Sequence, residues 1–325
     1  MELKAIYQSV KQDLAKVEGQ IKTVTEVDFP DLAELLKHIL LGGKAIRPAL
    51  TFLSAKFYKY DLDLLLPMAT SVELMHTSTL VHDDAIDNSA VRRGRPTVNS
   101  LWGEDRAVLL GDYLFAKAGE FAALTGNLRV IRLFSQTLQI ISSGELKQTF
   151  DAFNLEQSRD RYFERITGKT ASLFSLSTQS GAILSQAPEE STQALKGYGT
   201  NLGIAFQVVD DLLDFTGTEG ELGKPVGSDL AQGTLTLPAM LLLEQYPEDN
   251  PVRELFNNPD MPEAARQEKI KRAIDMVGSS SVGPECYKIA SDYCDKARRE
   301  LESLPANPAR KTLVEIADFV VSRKS

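Results

Sequence analysis

The stretch Ile204-Ala205-Phe206-Gln207-Val208-Val209-Asp210-Asp211-Leu212-Leu213-Asp214-Phe215 is apolar nearly all round, yet it carries three aspartates. An apolar circumference marks a buried helix. The acids follow the spacing i, i+1, i+4, which puts the first and last one turn apart and all three on one broad stripe. A second stretch, Leu74-Met75-His76-Thr77-Ser78-Thr79-Leu80-Val81-His82-Asp83-Asp84-Ala85-Ile86-Asp87, repeats that spacing. Dry, unpaired carboxylates would each cost on the order of several kcal/mol. Neither stretch holds a Lys or Arg, so cations from outside are the expected remedy. A hard ion fits best: Mg2+ takes one or two carboxylates, several waters and phosphate oxygens. An EF-hand calcium loop is excluded by the missing glycine-bearing pattern. The alternative, surface charges or helix caps, accounts for one cluster better than for two of identical spacing.

Outward from these stretches, apolar residues recur at three- and four-residue steps in Leu32–Leu41, Leu64–Val81, Ala107–Leu124, Val130–Phe150, Leu195–Phe215 and Tyr287–Leu301. Strand-type alternation is hard to find. Gly42-Gly43, Gly94 to Pro96, Gly126-Asn127 and Pro188 break the pattern. Gly217–Gly233 and Tyr246–Pro262 read as irregular. No interdomain linker or repeat stands out. The chain therefore reads as a single all-α domain over 1–325, with 217–233 as an active-site flap.

The bulk numbers agree. A chain of 325 residues, 43% hydrophobic and 25% charged, is globular. Its net charge of -9 argues against nucleic acid or anionic membrane as a partner. Cys286 and Cys294, about two turns apart on one helix, read as reduced thiols rather than a disulfide. The three histidines lie far from both, so no zinc cluster is expected. No signal peptide and no run of about eighteen apolar residues occurs, which predicts a cytoplasmic protein without a membrane span.

Basic residues stand out against the acidic total. Val91-Arg92-Arg93-Gly94-Arg95-Pro96-Thr97 follows the first cluster directly. Its guanidinium groups suit bidentate phosphate binding, or could simply be salt-bridged to the aspartates. Lys44 and Arg47 in Gly42-Gly43-Lys44-Ala45-Ile46-Arg47-Pro48, Lys169 in Gly168-Lys169-Thr170, and Lys224 in Gly223-Lys224-Pro225 are further candidates. Taken singly, each reads more readily as a solvated surface residue, and placement beside glycine and proline at element ends raises the functional reading. Gly168-Lys169-Thr170 is not a P-loop, since Phe163 stands where that motif needs glycine and no buried strand precedes it. His76, about two turns before Asp83 on the same face, reads as a core histidine or as an anion-binding donor.

Together these segments resemble the trans-isoprenyl diphosphate (polyprenyl) synthase family. The likeness runs from Gly42-Gly43-Lys44 to about Pro238 and rests on two DDxxD motifs, Asp83–Asp87 followed by Arg92-Arg93-Gly94, and Asp210–Asp214 preceded by Phe206-Gln207. The resemblance implies an antiparallel helical bundle around a deep central cavity, as a homodimer. It implies that an allylic diphosphate ionises, isopentenyl diphosphate attacks the carbocation, and proton loss leaves a chain one isoprene unit longer. It assigns Asp83, Asp84 and Asp87 to a pair of Mg2+ ions and Asp210, with Asp211 and Asp214, to a third. Arg92, Lys169, Gln207 and Lys224, assisted by Thr170, would contact the allylic diphosphate. Lys44, Arg47, His76 and Arg93 would hold isopentenyl diphosphate. Ala45 and Thr234 depart from the family, which commonly has basic residues at both places.

Product length should depend on the positions one turn before Asp83, about 6 to 8 Å deeper. Ser78 and Thr79 are small where short-product members carry aromatics, so a geranylgeranyl or longer product is expected, with Met75 as a candidate floor. The alternative is that both hydroxyls merely satisfy backbone carbonyls. Two rival functions remain. A class I terpene cyclase would replace the second cluster with an Asn/Ser/Glu triad. A non-catalytic subunit of a heteromeric synthase would be expected to lose aspartates.

Overall fold

The computed structural model describes residues 3–40, 45–218 and 225–323. Lys44, Lys224 and residues 219–224 of the expected flap lie outside the described residues. The chain forms helices α1 (Leu3–Ile6), α2 (Lys11–Thr23), α3 (Pro30–Ile39), α4 (Ile46–Ala55), α5 (Leu62–Ile86), α6 (Val98–Trp102), α7 (Glu104–Leu124), α8 (Leu128–Phe150), α9 (Arg159–Ile166), α10 (Ser172–Leu184) and α11 (Glu189–Thr216). Beyond α11 come Ser228–Ala231, Leu237–Gln245, Pro251–Asn257, Glu263–Ser279, Val282–Glu300 and Pro308–Ser322. Among the described residues the only strands are Val91–Arg92 and Arg95–Pro96, paired antiparallel.

Local chemistry sets the boundaries. The Asp61 carboxylate accepts from Asp63 N at 3.2 Å to start α5, and Asn127 Oδ1 accepts from Arg129 N and Val130 N to start α8. Each satisfies amide groups that a helix N-terminus leaves open. The same rule corrects one expectation. Tyr246–Pro262 is not irregular throughout, because Asn250 caps a helix at Val252 N, 2.9 Å away, with Pro251 in its first turn. Residues that read as breakers were a start signal.

The bundle is built around α10. Nearly all of its residues are buried, and it packs against α4 on one side and α11 on the other. Close approach explains why it is rich in small residues: a Cβ on Gly181 would stand 2.2 Å from the Thr51 carbonyl oxygen. Hydroxyls in it turn back on their own helix, Ser177 donating to Leu173 O at 2.8 Å, which satisfies them inside the core. The helix α5 lies along α7, and α11 along Val282–Glu300. One contiguous core runs through all of these. Among the described residues, no helix is long and apolar enough to cross a membrane.

Candidate active site

The first cluster sits where α5 ends. Asp87 is the residue after the last helical turn, its N–H on Asp83 O at 2.8 Å. The chain then doubles back through the small hairpin, turning at Arg93 (φ 52°) and Gly94 (φ 72°). Two consecutive left-handed residues are the geometry of a tight hairpin turn, here with glycine at only one of them. The hairpin delivers Arg92, whose Nε donates to Asp84 Oδ1 at 2.6 Å. Burial pushes the Asp84 carboxyl up, against the opposing pull of Arg92.

Lys169 reaches the same cluster from the opposite side. Thr167–Ala171 is a π-helical turn between α9 and α10, a wider coil that recurs at functional positions. Lys169 Nζ lies 2.5 Å from Glu145 Oε2 and 3.8 Å from Asp83 Oδ1. Burial works against its charge, but Asp83, Glu145 and Asp87 outweigh it and hold the ammonium above its ordinary pKa. Burial pushes Asp87 up to about 6; Lys169 pulls it down while Asp83, Glu145 and Asp229 push the same way as burial.

The second cluster is held differently. Tyr162 donates its hydroxyl to Asp211 Oδ2 at 2.7 Å, and Gln207 donates Nε2 to Asp211 Oδ1 at 2.7 Å. Thr170 Oγ1 donates to Gln207 Oε1 at 2.6 Å, so a chain of hydrogen bonds links the π turn to α11. Burial, and next the charge of Asp229, push Asp211 up to about 7, against Tyr162 and Gln207. Asp214 is buried and accepts from Ser228 Oγ at 2.8 Å and Asp229 N at 3.1 Å. Its carboxylate thereby fastens the far end of the 217–233 segment to α11. Asp210 is the most open of the three and pairs with Arg323 at 2.7 Å.

One aspartate of each cluster, Asp87 and Asp211, opens into a shared space. A cavity of about 100 Å³ is lined by Asp87, Lys169, Thr170, Gln207, Asp211 and Asp229, with Thr234 also on its wall. Within the chain, Arg92, Lys169 and Arg323 reach the aspartates from outside the two helical stretches, and Arg92 is salt-bridged to Asp84. Among the described residues, no three acidic, histidine or cysteine side chains converge tightly enough to hold an ion alone.

A group of basic residues adjoins. Arg47 is buried with its guanidinium 4.7 Å over the Phe174 ring, and burial lowers it to about 10 against the pull of Glu73 and Asp210. Burial, then the charges of Arg47, Arg93 and Arg92, hold His76 well below its usual pKa. At neutral pH it is an uncharged imidazole among arginines, still able to donate one N–H. Ser78 donates to Gly111 O at 2.7 Å and Thr79 to His76 O at 2.8 Å. Backbone satisfaction thus describes both hydroxyls, and Ser78 is turned into the contact with α7. Met75 is fully buried.

An all-helical frame carrying two such carboxylate clusters on one cavity defines an isoprenoid-synthase-type enzyme. A sequence model of the polyprenyl synthetase family matches residues 29–277, and the chain belongs to that family, whose members are trans-prenyltransferases. It is 38% identical over 324 residues to heptaprenyl diphosphate synthase component 2 of Geobacillus stearothermophilus, covering 99% of each chain. A crystal structure of polyprenyl synthase from Caulobacter crescentus, complexed with calcium and isoprenyl diphosphate, superposes with TM-score 0.94 at 33% identity, covering 100% of this chain and 98% of that one. A decaprenyl diphosphate synthase from Rhodobacter capsulatus gives TM-score 0.90 at 36% identity, each chain covered in full at 100%.

Sequence reading missed Glu73, Glu145, Tyr162, Asp229 and Arg323. Glu73 was within reach of it: with His76, Asp83 and Asp87 it continues one stripe along α5 and its cap, at steps of three, seven and four residues. Asp229 lies in the glycine-rich segment, where no repeated acidic spacing singles it out. Arg323 is brought to Asp210 only by the tertiary fold.

Proposed function

We propose that this chain condenses isopentenyl diphosphate with an allylic diphosphate, head to tail and with Mg2+, to make an all-trans polyprenyl diphosphate of geranylgeranyl length or longer. The observation that carries this reading is the single cavity onto which Asp87, Asp211 and Lys169 all open. When bound, three Mg2+ ions would neutralise charge growing on the departing diphosphate. Asp83, Asp84, Asp87, Asp210 and Asp211 offer the oxygens for this, while Asp214 secures the neighbouring segment.

The residues then divide the work. Lys169 and Arg92 face the allylic diphosphate and stabilise it as its C–O bond breaks. Thr170 and Gln207 keep Asp211 oriented, and Lys224 would bind the same diphosphate. Arg47, Arg93, neutral His76 and Lys44 hold the second diphosphate, so that the double bond of its isopentenyl group lies against the new cation. A carbon–carbon bond forms, and proton loss restores a double bond. Thr79, with Met75 beneath, leaves room for the growing tail, and the names heptaprenyl and decaprenyl among the relatives support a long product. Incubating the purified chain with Mg2+, labelled isopentenyl diphosphate and allylic primers of several lengths tests this. Labelled products longer than farnesyl diphosphate are expected; farnesyl diphosphate alone contradicts the length, and no consumption of isopentenyl diphosphate contradicts the reaction.

A second chain completes the enzyme. The helices α7 and α8 expose Leu109, Leu124, Leu128, Leu146 and Phe150, more apolar surface than a lone soluble helix pair keeps in water. A homodimer covers them most simply. The name component 2 in the Geobacillus relative favours the other arrangement, a heteromer with a different subunit. Light scattering on the purified chain, with activity measured on the same sample, separates the two: an active dimer supports the first, an inactive lone chain the second.

A further inference from the structure

Asp210 has a cationic partner supplied by the chain itself. Arg323, just past helix Pro308–Ser322, holds Asp210 Oδ1 with Nη1 at 2.7 Å and donates from Nη2 to Phe206 O at 2.6 Å. Its guanidinium lies 3.8 Å from the centre of the Phe206 ring. Phe206 and Asp210 are one turn apart, so a single arginine grips a full turn of α11 at the start of the second cluster. The Arg323 side chain is 3% exposed while that of Asp210 is 40% exposed. Its Nε is buried with no acceptor among the described residues. A surface arginine would not be fixed by an ion pair, a carbonyl and a ring at once.

The carboxylate oxygen that Arg323 holds is one that a hard divalent ion would also take. Guanidinium and ion cannot both sit on it without strong like-charge repulsion. We infer that Arg323 is a resident counter-ion for Asp210 that exchanges with the divalent ion, so that loading the second cluster loosens helix Pro308–Ser322 from α11. This rests on the reading of Asp210 as a metal ligand. Two consequences follow from the exchange. The ion binds Asp210 more weakly than it would bind a bare carboxylate, and metal occupancy is transmitted to the last helix.

The test uses the full chain and Mn2+ alone, titrated by electron paramagnetic resonance into wild type, Arg323→Gln and Asp210→Asn. Arg323→Gln is expected to bind Mn2+ roughly fivefold more tightly than wild type, and Asp210→Asn more weakly. If Asp210→Asn loses affinity while Arg323→Gln binds as wild type or worse, the exchange is wrong and the metal reading stands. If Asp210→Asn binds as wild type, the metal reading fails and takes the exchange with it. Should Arg323→Gln not fold, hydrogen exchange on wild type decides. Faster exchange at residues 316–323 on adding Mg2+ supports displacement of Arg323, and unchanged or slower exchange overturns it.

Discussion

Asp83, Asp84 and Asp87 stand where α5 runs out, met by the cations Arg92 and Lys169. Asp210, Asp211 and Asp214 stand inside the last turns of α11, where Asp211 and Asp214 accept bonds from hydroxyl, amide and backbone donors. The spacing is the same in both, yet the neighbours differ. Cations oppose burial at the first cluster, although burial still raises Asp84 and Asp87. Neutral donors orient Asp211 and Asp214, Arg323 pairs with Asp210, and burial raises Asp211 to about 7. Identical spacing on two helices therefore serves two purposes: one cluster grips, the other is partly built into the frame.

Asp83→Ala should break the gripping half and lower kcat about a thousandfold or more, with little change in Tm. Asp214→Asn should do the reverse, with a smaller loss of rate and about 2 kcal/mol less stability, since its carboxylate fastens Ser228 and Asp229. Equal rate losses with unchanged Tm would erase the division between the clusters. Lys169→Ala comes next, at about a hundredfold in kcat, with Asp87 titrating higher once its opposing cation is gone.

The pH response sharpens the contrast further. Asp87 at about 6 and Asp211 at about 7 both lie above the ordinary 3.8 of an aspartate. The folded chain thus holds these protons more tightly than the unfolded chain. That stabilisation is complete below about pH 3.8 and is lost as pH rises through 6 and 7. With divalent ions chelated, Tm should fall as pH is raised from about 5 to 8, and Asp211→Asn should flatten the curve. Affinity for a divalent ion runs the other way, weakening as pH falls, because the ion must displace the proton held by Asp211. Tyr162→Phe removes one donor from Asp211 and should cost about 1 kcal/mol of stability.

The helices were legible because their apolar periodicity is set locally, and both aspartate triplets because one turn fixes their spacing. Arg92 was legible too, lying a hairpin away from Asp84. What escaped was whatever the tertiary fold alone brings together. Nothing near Tyr162 or Arg323 in sequence points to α11, and Glu145 meets Lys169 only because α8 crosses the π turn. Ser78 marks another limit. Its place one turn from Asp83 was readable, but not that its hydroxyl faces Gly111 on α7. Thr79, half-buried, is accordingly the better lever on product length. Thr79→Phe should shorten the product with a rate change of less than about tenfold. Ser78→Phe should instead lower Tm by overpacking the α5–α7 contact.

The most direct test is a crystal structure of the chain with Mn2+ and inorganic pyrophosphate, phased to show the metal by anomalous scattering. The expected result is one pyrophosphate bridged through Mn2+ to Asp83 and Asp87 on one side and to Asp210 on the other. Metal and pyrophosphate held by a single cluster, with the other still paired only to its own side chains, would contradict it.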